Sequence, residues 1–385
     1  MRTSFFAFCA AGLAALAGSG AAAAQDPEGS PIIVTGTRLV DAERALRDCL
    51  ARRCPTMEDI AATLALAENQ FIAGDYSAAR ATLLRSRDRN RAAAARHPVA
   101  VSSLYRALSR ITRHMGEDEE YQRAAFGVVR SLRAGLSDTD PRTIVGQFDV
   151  AEMYLRVGRY NGALDEYERI ARRARAAGQI TLAGHADLRA AWVNHAIVPS
   201  GVTRQRLEAI AAATDPRLRV VALEARIVLA RIDYREGRTG TADAVIAELA
   251  AGRFNRTLIH APPMQPLNFG SLGDQGDRTG ATTGDPWHHA VGENDRETWA
   301  DVGFNVRPDG RVEDVAILRS AGPTAWTRTL LASIQGRLYS PSNGTESDYR
   351  VERFSYTSPK MDATGTRLRV HSGEYRIEQI DLTAD

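Results

Sequence analysis

The sequence predicts an α+β chain of more than one domain, in which a solenoid of α-helical hairpins precedes a small ββαβ domain. Three observations predict it. Ala, Leu, Arg and Glu recur in amphipathic order from about Asp41 to Leu249, glycine-marked turns punctuate that stretch at a regular interval, and beyond Trp299 the apolar period changes to two.

The chain opens with Arg2, an apolar run from Phe5 to Leu16 and small residues from Ala21 to Ala24 before Gln25. That order describes a secretory signal over residues 1–24, with cleavage expected near Ala24 and a periplasmic destination. An uncleaved helix anchoring the chain in the inner membrane is the alternative, because Phe5 to Ala24 approaches the ~20 residues a spanning helix needs. Gly12, Gly18, Ser19 and Gly20 thin the hydrophobicity and no basic cluster follows, which favours cleavage. Residues 25–40 then read as an extended N-terminal segment.

Cys9 falls within the signal, and Phe8 stands where a lipoprotein site carries a small residue. Cys49 and Cys54 remain, and an even pair in an oxidising compartment is expected as a disulfide. Five residues apart, they can close across a helix end or a turn. Two buried thiols are the alternative, and on either reading the pair does no chemistry.

Processing leaves about 360 residues, room for two or three domains. The 49 basic and 47 acidic residues give a net charge of +2, and the two signs are interspersed along the helical stretch. No basic face of the kind that follows nucleic acid stands out. Lys360 is the sole lysine of the sequence, a bias without functional content.

Residues 41–252 carry the helical repeat. Two segments superimpose: Ala67, Phe71, Gly74, Tyr76 and Ala79 match Ala151, Leu155, Gly158, Tyr160 and Ala163. Gly116-Glu117-Asp118, Pro199-Ser200-Gly201 and Gly237-Arg238-Thr239 supply the other expected turns, at a spacing of about 40 residues. Five hairpins follow. The small residue seven before the glycine, the apolar residue three before, Tyr two after and Ala five after resemble the tetratricopeptide repeat. That resemblance implies a superhelical stack with a concave surface that binds proteins or peptides. The basic run Arg80, Arg85, Arg87, Arg89 and Arg91 reads as a solvated helix face.

From 253 to 297 the composition turns to Pro, Gly, Asp and Thr, which reads as a linker. Trp287-His288-His289 offers imidazoles without a spaced third ligand, so no metal site is expected there. From 298 to 385 strand alternation prevails. Val302, Phe304 and Val306 alternate with polar residues, Pro308-Asp309-Gly310 makes a turn, and Val312, Val315 and Ile317 complete a hairpin. Thr324 to Arg337 predicts a helix with Trp326, Leu330, Leu331 and Ile334 on one side. A strand from Tyr349 to Tyr356 follows, and Arg367 to Leu382 offers one or two more.

The phrase Val302-Gly303-Phe304-Asn305-Val306-Arg307-Pro308-Asp309-Gly310-Arg311-Val312-Glu313-Asp314-Val315, with Leu318-Arg319-Ser320-Ala321-Gly322 and Arg337-Leu338-Tyr339-Ser340-Pro341 after it, resembles the C-terminal domain of TonB energy transducers over about sixty residues. The resemblance implies a periplasmic domain that adds an extended receptor peptide to a sheet edge. It assigns the peptide to the strand after the helix, with Tyr349, Val351, Arg353 and Ser355 on one face and Arg350, Glu352, Phe354 and Tyr356 on the other. The chain departs from a transducer in lacking an evident uncleaved anchor and a Pro-rich spacer. Pro31 to Arg38 is similar to the TonB-box segment of TonB-dependent receptors, through Ile32, Ile33, Val34, Thr35 and Gly36, and can pair with an edge strand; an ordinary short strand or tether is the alternative.

The function expected is a periplasmic protein–protein interaction protein, linked to TonB-dependent outer-membrane transport, with protein or extended-peptide partners such as TonB-dependent receptors or transducers. A purely structural scaffold of the envelope is the alternative. No cofactor, nucleic acid or small-molecule substrate is expected. A hydrolase or transferase using His260, His288, His289 or His371 finds little support, since no nucleophile elbow, His-Glu-x-x-His, P-loop or dinucleotide turn is present. The chain is expected not to be an enzyme.

Overall fold

The computed structural model describes residues 38–251, 256–262, 297–342, 344–362, 369–371 and 375–383. The stretch expected as a signal (1–24), the TonB-box-like residues Ile32 to Gly36, and the pair His288 and His289 lie outside them. The described residues fall in one compact unit. No helix among them is long and apolar enough to cross a membrane.

Eleven helices come first: α1 (Leu39–Ala51), α2 (Thr56–Ala73), α3 (Tyr76–Asn90), α4 (Pro98–His114), α5 (Asp118–Arg133), α6 (Pro141–Arg156), α7 (Tyr160–Ala176), α8 (Ile180–Ile197), α9 (Gly201–Ala211), α10 (Arg219–Arg235) and α11 (Thr239–Ala251). From α2 onward they form five antiparallel hairpins, turning where the sequence predicts. Each turn has a local cause. At the first, the Gly74 and Asp75 amides close back on Phe71 and Gln70, and the Asp75 carboxylate accepts the Ala78 amide to start α3. At the fourth, Ser200 and Thr203 make a reciprocal capping box.

The first helices of successive hairpins lie side by side, α2 against α4 and α8 against α10, while each second helix packs on the next first helix. Polar contacts bridge the layer of first helices: ion pairs of Arg110 with Glu68 at 3.2 Å and Arg106 with Asp149 at 2.9 Å, and a hydrogen bond between His185 Nδ1 and Glu224 at 2.9 Å. The small residues of the repeat are enclosed between helices, Ala79, Ala151 and Ala163 completely so. A larger side chain there would hold the helices apart. α1 adds a further helix against α2, burying Ala42 and Leu46 beside Leu66, and is tied to it by the Cys49–Cys54 disulfide, whose Cα atoms are 5.1 Å apart.

The remainder is a mixed layer. β2 (Thr298–Val306), β3 (Val312–Ala321), β5 (Asp348–Thr357) and β8 (Arg376–Asp381) form an antiparallel sheet in the order β3-β2-β5-β8. The β2–β3 turn is the predicted one, with Gly310 at φ +85° donating its amide to Arg307. α12 (Thr327–Gln335) covers one face of this sheet, seating Trp326, Leu330 and Ile334 on Ala300, Val302, Phe304, Val306 and Phe354. It is shorter than the expected 324–337, because Thr324 and Trp326 form the entering turn.

Two short pairings complete the layer: β1 (Leu258–His260) with β4 (Leu338–Tyr339), and β6 (Lys360–Asp362) with β7 (Arg369–His371). β1 falls inside the stretch expected as linker. Ile259 is buried beside Leu223 and Leu249, and Arg256 donates to the Val306, Arg307 and Glu346 carbonyls. Three residues are too few to display alternation amid so much Pro and Gly.

Candidate functional site at the seam between helices and sheet

The face of the sheet opposite α12 lies against the turns of the first hairpins. Period-two alternation sends Glu352 and Phe354 of β5 toward α12 and Arg353 and Ser355 toward the helices. Arg353 is fully buried. Its guanidinium lies 4.0 Å from the ring centre of Trp299 and 5.5 Å from that of Phe71. It donates to Asp301 through Nε at 2.6 Å and Nη2 at 2.9 Å, to the Ile72 carbonyl at 2.7 Å, and to the Phe71 carbonyl. Those carbonyls lie at the electronegative end of α2, so a strand side chain from about 280 residues downstream adds to the cap that the Gly74 amide makes on Phe71. Arg319 of β3 adds bonds to Asp301 at 2.6 Å and to Ile72 at 3.1 Å.

Beside it, Ser355 Oγ lies 2.8 Å from Tyr76 Oη and 2.8 Å from His114 Nδ1. Burial, reinforced by Arg113, Arg110, Arg353 and Arg156, holds the His114 pKa well below its ordinary value, so the ring is neutral. Burial pushes the Tyr76 hydroxyl up to about 12. A serine beside a neutral histidine has the geometry of a nucleophile and base. Here the two are 1 % and 2 % exposed, enclosed between β5 and the first hairpins. Glu297 closes the outer rim, accepting the Tyr76 amide and the Ser77 hydroxyl at 3.0 Å each.

The same motif meets different surroundings along the array. At the first turn Phe71 and Tyr76 stack at 4.8 Å and are buried beneath the sheet. At the third turn the equivalent Tyr160 is 50 % exposed. The second turn is covered too: the Gly116 carbonyl accepts the Lys360 amide at 3.1 Å, and Lys360 Nζ lies 3.3 Å from Glu117.

β8 supplies the third contact. Glu378 is completely buried, with Arg113 of α4 at 3.1 Å, Arg156 of α6 in contact and Arg376 of its own strand at 3.1 Å. Arg376 also pairs with Asp118, in the first turn of α5, at 3.1 Å. Burial raises the Glu378 pKa, against the pull of Arg156, Arg113 and Arg376. None of these partnerships was visible in the sequence; a lone Glu between isoleucines, at Ile377-Glu378-Gln379-Ile380, was the available signal.

The strand that the resemblance assigns to a visiting peptide is interior. β5 pairs with β2 along its length and with β8 over Glu352 to Thr357. Of the four assigned residues, Arg353 and Ser355 face the helices, Val351 bonds Leu382 and Thr383 through its backbone, and Tyr349 is exposed. The free edge expected there is occupied by the chain's own β8. Cys49 and Cys54 lie near Glu58, a grouping with metal-ligand spacing, but both sulfurs are consumed by the disulfide and Glu58 accepts from Arg52 at 2.6 Å. Of the histidines considered as bases, His260 packs against the Tyr234 ring with centroids 4.5 Å apart and His371 lies in β7.

No protein-family model matches the chain, and no curated protein matches it. Solved helical-repeat structures are similar to it. BtubC (BKLC) from P. vanneervenii shares 12% identity at a TM-score of 0.41, over 60% of this chain and 95% of that one. A Podosopora anserina protein assigned as a kinesin light chain, built of nearly identical TPR-like repeats, shares 18% at 0.38, over 50% and 93%. The apo form of RapI shares 11% at 0.36, over 54% and 72%.

Proposed function

We propose that this chain is a non-catalytic protein–protein interaction protein of the periplasm, linked to TonB-dependent outer-membrane transport. Its helical array serves as the binding and positioning body. Its sheet, which resembles the TonB C-terminal domain, takes an extended polypeptide at an edge strand. The observation that carries this reading is the strand order β3-β2-β5, with α12 on the opposite face, continued by a fourth strand that contributes one fully buried side chain. An edge strand can add an extended polypeptide through its backbone. The disulfide fits an exported chain.

Capture from periplasmic extract by the whole chain tests it. TonB-dependent receptors or a transducer should be retained, and an excess of their extended N-terminal peptide should release them. Retention that such a peptide leaves untouched overturns the strand-addition reading.

The buried Arg353 seam favours a second reading, a rigid scaffold in which the sheet stiffens the first two hairpins. A scaffold of that kind would retain neighbours through the array alone, with no competition by extended peptide.

A further inference from the structure

The layer of first helices carries a row of arginines, and along most of it each has an acid. Arg106 pairs with Asp149 and Arg110 with Glu68, while the sheet brings Glu378 to Arg113 and Arg156. The row continues on α8 and α10 with Arg189, Arg231 and Arg235, and there the acids stop. Arg231 donates through Nε at 2.9 Å and Nη2 at 2.6 Å to the Leu258 carbonyl, a neutral partner that joins β1 to α10. Arg189 and Arg235 make no ion pair among the described residues.

The three lie close together. α8 and α10 are neighbours, joined by the hydrogen bond of His185 Nδ1 with Glu224. Arg189 stands about one turn beyond His185, Arg231 about two turns beyond Glu224, and Arg235 one turn further. Partial burial lowers the Arg231 pKa, and the charges of Arg189 and Arg235 lower it further. Like charges so placed repel. Two carboxylates border the same region without relieving it: Glu224 is held by His185, and the exposed Glu152 of α6 pairs with none of the three. Aromatic surface flanks the cluster. Trp192, on the same side of α8 as Arg189, is exposed, and Tyr234 packs on His260 of β1.

From this we infer that the corner between α8, α10 and β1 binds an acidic extended segment of a partner protein, with Arg189 and Arg235 receiving carboxylates and Trp192 supplying apolar contact. It rests on the reading of the array as the binding body and adds which part of it binds and what charge it selects. Glu378 displays the same chemistry within the molecule: one carboxylate on an extended strand satisfies arginines of two first helices at once. A partner's acid relieves the repulsion among the three cations in the same way, so charge is the feature that discriminates.

The test uses the full chain and a fluorescent peptide of alternating Ala and Glu, together with its counterpart carrying Gln at each Glu. The Glu peptide should bind at least about tenfold more tightly than the Gln peptide, and less tightly as salt is raised. Arg189→Gln and Arg235→Gln break no ion pair, so the fold should persist; each should weaken the Glu peptide about three- to fivefold, and the two together at least about tenfold. Arg159→Gln, at the exposed third turn, should change nothing. Equal affinity for the two peptides overturns the charge selection and leaves the array a peptide binder. No binding of the Glu peptide, or binding that survives the double substitution, overturns the proposal. Anionic phospholipid vesicles held through these arginines, with the Glu peptide left unbound, assign the corner to a membrane surface and overturn it too. Receptors retained equally by wild type and the double variant would overturn this site while leaving the function proposed above intact.

Discussion

Arg353 and Asp301 form a bidentate pair inside the protein, at 2.6 and 2.9 Å, with exposures of 0 % and 1 %. Two strands thereby present one guanidinium to the end of a helix. Removing Asp301 strands the buried Arg353, whereas removing Arg353 leaves Asp301 to Arg319 and takes the capping donor from the Phe71 and Ile72 carbonyls. Arg353→Leu should cost about 3 kcal/mol, the lower end for breaking a buried ion pair. Adding Asp301→Leu should recover a large part of it, since an apolar pair needs no compensation. Urea unfolding of the two single variants and the double variant measures the coupling; additive losses would contradict a seam held by this pair.

Gly74 and Gly158 occupy the same position of the repeat, at φ +90° and +74°. A Cβ on Gly74 would fall 2.3 Å from the Trp299 ring, whereas one on Gly158 meets nothing within 4 Å. Gly158→Ala should therefore lose only about 1 kcal/mol, the cost of the left-handed backbone. Gly74→Ala must also move the indole, and should lose at least twice as much. Paired thermal melts of the two variants decide it, and equal losses would mean that the sheet does not bear on the first turn.

His114 makes stability depend on pH in a predictable direction. Its folded pKa is depressed by burial and by the neighbouring arginines, so its contribution is intact above about 6.5 and is lost as pH falls below that value. The unfolded chain takes up the proton that the folded one refuses. Stability should decline as pH falls below about 6.5, by at most about 1.4 kcal/mol per pH unit from this group. His114→Asn, which keeps a polar group near Ser355, should flatten that slope by about the same amount in urea midpoints measured across the range.

The disulfide closes a loop of a few residues between α1 and α2, for which chain entropy gives about 2 kcal/mol. Cys49→Ser with Cys54→Ser should loosen α1 first, because that helix buries only Ala42, Leu46 and Cys49. Hydrogen exchange over Leu39 to Ala51 should quicken while α4 to α7 stay protected. Uniform acceleration through the array would show that α1 is not a local unit.

Much of the architecture was legible in the residues. Amphipathic spacing and turn glycines placed all five hairpins, and alternation with Pro308-Asp309-Gly310 placed β2 and β3, because these patterns depend on neighbours within a few residues of one another. The two faces of β5 were also separable by parity. β1 escaped notice because its reason to be extended, Ile259 against Leu223 and Leu249, lies in another part of the chain.

What sequence alone determined here is periodic: which segments turn as helices, which extend as strands, and which cysteines can join. Tertiary structure decided what covers each element: that β5 is buried on both faces, Phe354 under α12 and Arg353 and Ser355 against the helices, that Tyr76 is enclosed while Tyr160 is open, and that β8 takes the place beside β5. The reason is physical. Local backbone preference acts over one turn or one pleat, whereas Arg353 meeting Ile72 and Glu378 meeting Arg156 join residues more than 220 positions apart, whose energies exist only once the chain has closed on itself.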